Sequence, residues 1–139
     1  MKPSSLRRPK EVFLSHASRD RRFVQKLAVE LKRNGIPFWF SQTHLKGAQQ
    51  WHDEIGTALA RCDWFVLVAS PNSTASMWVK RELSYALIQK RYEGRIIPLI
   101  HKPCSTDKLS WTLDSFQHVD FSSDFSSGMQ NLLRVWGIK

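Results

Sequence analysis

Residues Trp64–Ala69 read WFVLVA, an apolar run with no polar interruption. A run that does not alternate fits a strand buried on both faces, and such strands belong to parallel sheets with helices above and below. The polar stretch that follows, SPNSTASMWVKRE at residues 70–82, therefore starts at the carboxyl end of a parallel strand. Open α/β sheets gather their ligands at that edge. Ser76 is placed to cap a helix, and Trp78 and Glu82 stand four residues apart, one turn along the same helical face. One carboxylate is thereby aimed at the ligand edge.

The rest of the chain repeats the pattern of strand, break and helix. Residues 11–14 read as a first strand, and Ser18 as the cap of a helix that sets Phe23, Val24, Leu27, Ala28 and Leu31 at the 3.6 period and stops at Asn34 and Gly35. Residues 36–40 are a second strand, with Pro37 tolerated at a strand start or sheet edge, and residues 41–50 a loop. A second helix puts Trp51, Ile55, Ala58, Leu59 and Cys62 on one side, and a third runs from residue 77 to about residue 92, burying Val79, Leu83, Ala86 and Leu87. Residues 95–100 form a fourth strand and residues 116–121 a weaker fifth. Met129, Leu132, Leu133 and Trp136 mark a closing helix. The prediction is an α/β three-layer sandwich around a five-stranded parallel sheet with right-handed crossovers and order 2-1-3-4-5. Winding reverses there between strands one and three, so residues 15–19 and 70–76 flank the ligand crevice, with residues 41–50 beside them.

With 139 residues and 42% hydrophobic content, one domain is expected, long enough for a core and too short for a second. Lys and Arg number 21 against 12 Asp and Glu, a formal net charge of +9 that favours anionic partners. The positive residues form no single stripe, which argues against a nucleic-acid partner. The densest run, Arg7, Arg8, Pro9 and Lys10, falls in a flexible basic leader expected over residues 1–10, ahead of a domain at 11–139. No apolar segment follows it to make a signal peptide or a span, so a cytoplasmic protein with no membrane partner is expected. Cys62 and Cys104 lack any metal-ligand spacing, so no metal is expected and both read as reduced and structural.

The phosphate-cradling devices are missing: the chain has neither GxGxxG nor GxxxxGK[ST]. A Ser/His/Asp set can be assembled from Ser15, His16 and Asp20, but neighbours in one loop rarely have triad geometry, and there is no GxSxG elbow. Glu82 stands out more. An acid flanked by Lys80 and Arg81 in an early helix turn is ordinarily solvated, yet Glu82 lies on the shoulder of the buried stripe beside Leu83, with Trp78 one turn before it. A partly buried, unpaired acid is costly and usually has a task.

Four segments carry a family resemblance: FLSHASRD at residues 13–20, GIPFWF at 35–40, LKGAQQW at 45–51 and SMWVKREL at 76–83. In order and position they resemble the successive boxes of a Toll/interleukin-1 receptor (TIR) domain of bacterial type. The resemblance implies a flavodoxin-like fold and an enzyme, an NAD+ glycohydrolase or ADP-ribosyl cyclase that cleaves the nicotinamide–ribose bond. Glu82 corresponds to the essential Glu of a WxxxE arrangement and Trp78 to its Trp. Substrate contacts are expected from Ser15, His16 and Ser76 as donors and from Phe40, Trp51 and Trp78 as stacking faces. NAD+ is the substrate, and no resident cofactor is expected. The resemblance further implies self-association through the loop at residues 41–50, with Leu45, Lys46 and Gly47 as contacts. Many relatives carry Asp where this chain has Ser41, a departure that touches the loop and not Glu82. Whether the product is ADP-ribose or a cyclic isomer stays open. By the same resemblance the setting is bacterial antiphage defence, in which the product activates a separate effector protein. The alternative is a non-enzymatic scaffold acting through homotypic contacts.

Overall fold

The computed structural model describes residues 8–40 and 48–138, with residues 48–52 by backbone alone. The chain enters the fold tied down: Arg8 Nη2 donates to the Asn34 carbonyl at 3.0 Å, and the Lys10 and Glu11 N–H groups donate to the Asp63 carboxylate. Residues 1–7 of the expected leader lie outside the described residues.

Strand β1 (Val12–Ser15) is buried along its whole length. A 3-10 turn at Ser18–Asp20 leads into helix α1 (Arg21–Arg33), which buries Phe23, Val24, Leu27, Ala28 and Leu31. Ser18 does not cap it. Asp20 occupies the N-cap position and makes no capping bond, because its carboxylate is engaged across the sheet edge. Gly35, at φ 71°, closes α1 by turning the chain so that the Ile36 N–H reaches back to the Leu31 carbonyl at 2.9 Å.

Strand β2 (Phe38–Trp39) starts two residues later than expected, since Pro37 has no N–H to give and contributes only its carbonyl, to Val12 N–H at 2.9 Å. Helix α2 (Ala48–Arg61) buries Ile55, Ala58 and Leu59, and strand β3 (Trp64–Ala69) is buried at every residue. The single helix expected over residues 77–92 is divided. A one-turn helix α3 (Pro71–Thr74) precedes helix α4 (Met77–Leu87), and a separate 3-10 turn follows at Lys90–Tyr92. Strand β4 (Ile96–Ile100), strand β5 (Val119–Asp120) and helix α5 (Phe125–Val135) complete the fold.

All strand pairs are parallel and the order is β2-β1-β3-β4-β5, as predicted. The fifth strand is much shorter than residues 116–121. The Arg95 carbonyl accepts from Phe65 N–H on the β3 side, so Pro98, an odd number of residues on, turns its backbone toward β5 without a donor. Pairing survives only between Leu99 and Val119 and between Ile100 and Asp120.

Alternate residues of each strand feed opposite layers. Val12, Leu14, Val66, Val68 and Leu99 pack with α1 and α5, whereas Phe13, Phe65 and Leu67 pack with α2 and α4. Leu87, expected in the core, is half-buried at its margin. Cys62 and Cys104 are free thiols, and burial pushes Cys62 up to about 12. Among the described residues no helix is long and apolar enough to cross a membrane.

Candidate active site

Helix α4 turns Val79, Glu82, Leu83 and Ala86 inward, so Glu82 occupies a place in the apolar stripe. Ser15 closes β1 on the same layer, two residues after Phe13, and its Oγ donates to Glu82 Oε1 at 2.6 Å. Glu82 is 8% exposed and Ser15 1%. Burial pushes the Glu82 carboxyl from its ordinary 4.5 up to about 7, and the Ser15 hydrogen bond, which favours the charged form, opposes this only in part. Near neutral pH such a group holds or releases a proton with little bias. Its charged form is stabilised by any cation brought to it. The site lies at the carboxyl ends of β1 and β3, where the winding of the sheet reverses.

Across the sheet edge stands a second buried carboxylate, Asp20, 3% exposed. Its Oδ2 accepts from Ser70 Oγ at 2.5 Å and its Oδ1 from Asn72 Nδ2 at 2.9 Å. His101, just beyond β4, places Nε2 4.0 Å from Oδ1 and stacks on Phe23 with ring centroids 4.2 Å apart. Burial lowers the His101 pKa, against the pull of Asp20. These bonds separate the members of the Ser/His/Asp set: Ser15 goes to Glu82 and Asp20 to Ser70 and Asn72.

The other site residues expected from sequence distribute as follows. Ser76 caps α4, its Oγ accepting from Val79 N–H at 3.3 Å. Trp78 is half-buried, with the Arg81 guanidinium carbon 5.4 Å from its ring centroid. His16 and Phe40 meet each other edge to face at 5.7 Å, and Phe40 packs toward the α1/α5 layer, so this pair is not in the layer of Glu82. The β2 aromatic in that layer is Trp39, stacked on Phe13 at 5.2 Å. The side chain of Trp51, and Leu45, Lys46 and Gly47 altogether, lie outside the described residues. Sequence reasoning missed Ser70, Asn72, His101 and Trp39. The alternation Phe38, Trp39, Phe40 was a usable signal for Trp39, since only it shares the parity that faces α2 and α4.

A cleft of about 960 Å³ opens at the opposite edge of the sheet, between Trp64, Arg95, Val119 and Arg134, where β3, β4 and β5 begin. It is remote from the buried carboxylates at the other end of the strands. Size does not locate the chemistry here.

Residues 12–133 match the family profile described as TIR domain. The chain belongs to the TIR domain family. This TIR domain is similar to the 2′ cyclic ADP-D-ribose synthase BtTIR of Bacteroides thetaiotaomicron, 28% identical over 95 residues covering 66% of this chain and 33% of that protein. It is also similar to the NAD(+) hydrolase TcpA of Theionarchaea archaeon (strain DG-70-1), 30% identical over 94 residues covering 66% of this chain and 28% of that protein. The TIR domain thus spans about a third of the length of the curated relatives it matches. Among solved structures, the TIR domain of the Toll-related receptor TRR-2 from Hydra magnipapillata superposes with a TM-score of 0.71 at 20% identity, covering 91% of this chain and 97% of that one. That likeness is one of fold.

Proposed function

We propose that this TIR domain cleaves the nicotinamide–ribose bond of NAD+, with Glu82 as the reactive carboxylate. One observation carries the reading: an acid withdrawn from water at the reversal point of the sheet, held by the Ser15 hydroxyl and, among the described residues, given no cation. Relatives named for NAD+ hydrolysis and for cyclic ADP-ribose synthesis support it.

Nicotinamide in NAD+ is already a cationic leaving group, so departure needs no proton. The C1′–N bond breaks, its electron pair leaves with neutral nicotinamide, and positive charge spreads over C1′ and the ring oxygen of the ribose, as in glycoside hydrolysis. Glu82, ionised, stabilises that charge and accepts hydrogen bonds from the ribose hydroxyls. A carboxylate preorganised out of water contributes roughly 3 kcal/mol to such a step. The cationic nicotinamide ring of the substrate favours the ionised form of Glu82, so binding prepares the group for its task. Water then attacks C1′ and loses a proton to give ADP-ribose, or a nucleophile on the adenine or second ribose attacks to give a cyclic isomer. Trp78, one turn before Glu82, and Trp39 offer aromatic faces in the neighbourhood. The net charge of +9 favours approach of the pyrophosphate.

By family resemblance, the domain self-associates through the loop at residues 41–50, and its product is a cytoplasmic signal that activates a separate effector in antiphage defence. The non-enzymatic scaffold has one observation in its favour: Met77, Tyr85 and Ile88 are 61%, 36% and 80% exposed along the outer side of α4.

Concentrated protein incubated with NAD+ separates the readings. Nicotinamide release, with chromatography of the nucleotide product, is expected for the wild type and is expected to fall at least about 100-fold in Glu82→Gln. Equal rates would remove Glu82 from the chemistry. Silence of the wild type, in the presence of a crowding agent as well, would favour the scaffold.

A further inference from the structure

The chemistry proposed for Glu82 uses only the face of the sheet edge that carries α2 and α4. The other face holds a buried carboxylate without an assigned task. Asp20 lies 50 and 52 residues from its partners Ser70 and Asn72, and it bridges the loop after β1 to the turn after β3. Ser70 is used completely. Its hydroxyl donates to Asp20 and accepts from the Asn72 and Ser73 N–H groups at 3.1 and 3.2 Å, while Ser73 Oγ returns to the Ser70 N–H at 2.9 Å. A hydroxyl tied at every site has one rotamer, so Asp20 orients the whole of α3. From α3 the hydrogen bonds run on: Ser76 N–H donates to the Ser73 carbonyl at 3.0 Å, and Ser76 caps α4 through Val79 N–H. Glu82 stands one turn further along.

Burying a carboxylate is expensive, and these neutral donors offset the expense only in a fixed geometry. Capping α3 alone would not need the charge, because Ser70 and Ser73 already form a complete capping box, with Pro71 at the first helical turn. What Asp20 adds is attachment of that box to the start of α1, immediately downstream of Ser15. The 2.6 Å bond from Ser15 to Glu82 requires β1 and α4 to keep their relative position. Asp20, in the turn that follows β1, is bonded to Ser70 and Asn72 at the end of β3 and in α3, the segment that leads into α4.

We infer that Asp20 is a positioning residue, whose buried carboxylate holds α3 and through it the first turn of α4, so that Glu82 meets Ser15 away from water. The inference rests on the proposed reading of Glu82 for its bearing on catalysis, and on geometry alone for its bearing on Glu82's surroundings.

The test uses the whole chain and two readouts. Asp20→Asn keeps the shape but leaves one oxygen where two donors need acceptors. The first readout is the carbon-13 titration of the Glu82 carboxyl, identified by its disappearance in Glu82→Gln. In Asp20→Asn the Glu82 midpoint is expected to fall by roughly one pH unit or more toward the ordinary value, because loosening α4 admits water and burial is the dominant cause of the raised midpoint. The second is the kinetics of nicotinamide release, where kcat is expected to drop about tenfold or more while KM moves less than about threefold. A purely structural Asp20 would lower the melting temperature and leave both the Glu82 midpoint and kcat unchanged, and that result overturns the inference. Should Asp20→Asn fail to fold, Asn72→Ala removes one donor and keeps the Ser70 bond. A smaller downward shift of the Glu82 midpoint supports the inference in that variant, and an unmoved midpoint overturns it. A wild type that releases no nicotinamide defeats the proposed function, while the titration still decides the role of Asp20.

Discussion

Glu82 shares its side of α4 with Val79, Leu83 and Ala86, so carbon replaces water around its carboxyl and the Ser15 hydroxyl opposes only part of the loss. The folded group binds its proton up to about pH 7, whereas the unfolded chain releases it near 4.5. Between those values the native state holds more protons than the unfolded one, so this residue's contribution to stability is full below 4.5 and is lost as pH rises through 7. At pH 8 the buried charge costs up to about 3 kcal/mol relative to a neutral side chain. Glu82→Gln, which removes the charge and keeps an acceptor for Ser15, is expected to be more stable than wild type at pH 8 and nearly equal to it at pH 4.5. Urea denaturation at the two values checks this, and a variant less stable at pH 8 would contradict it. The inward position of Glu82 was legible in sequence because Val79, Leu83 and Ala86, which mark the buried side of α4, lie within about one turn of it, although its partner Ser15 lies far off in the chain. Asp20 was not, because its partners come from a segment 50 residues away and no local pattern marks them.

At the scale of elements, the helices and the buried strands followed their periods, and the departures trace to single residues. Pro98 shortens β5 by withholding a donor. The Ser70 and Ser73 capping box, with Pro71 at the first helical turn, makes α3 where only a loop was expected, a signal present in the sequence but overshadowed by Ser76 as the evident cap. The two-residue β2 and β5 leave their neighbours to be fixed by packing. Helix α5 is seated on Phe121, just past β5, through Gly128, where an added Cβ would lie 2.6 Å from Phe121 Cγ. That contact admits no side chain without displacing an aromatic ring packed against Phe23 and Phe125. Gly128→Ala is accordingly expected to destabilise by about 1–3 kcal/mol despite the better helix propensity of alanine, read as a lower melting temperature. An increase would show that α5 is free to move away from the sheet.

For the molecule as a whole, the strand order was legible because buried, non-alternating strands separated by amphipathic helices admit few arrangements, and right-handed crossovers prune them further. That order put two carboxylates at one edge, Glu82 fixed to the end of β1 through Ser15 and Asp20 fixed to the end of β3 through Ser70. The central claim is that the ionised carboxylate of Glu82 performs the cleavage. It is tested most directly by the pH dependence of kcat/KM for nicotinamide release, which reports the ionisation of the free protein. A rate that rises through a midpoint near 7, moves to higher pH in Ser15→Ala as the bond favouring the charge is lost, and collapses in Glu82→Gln is the predicted result. The same rising limb, undiminished in Glu82→Gln, would contradict it.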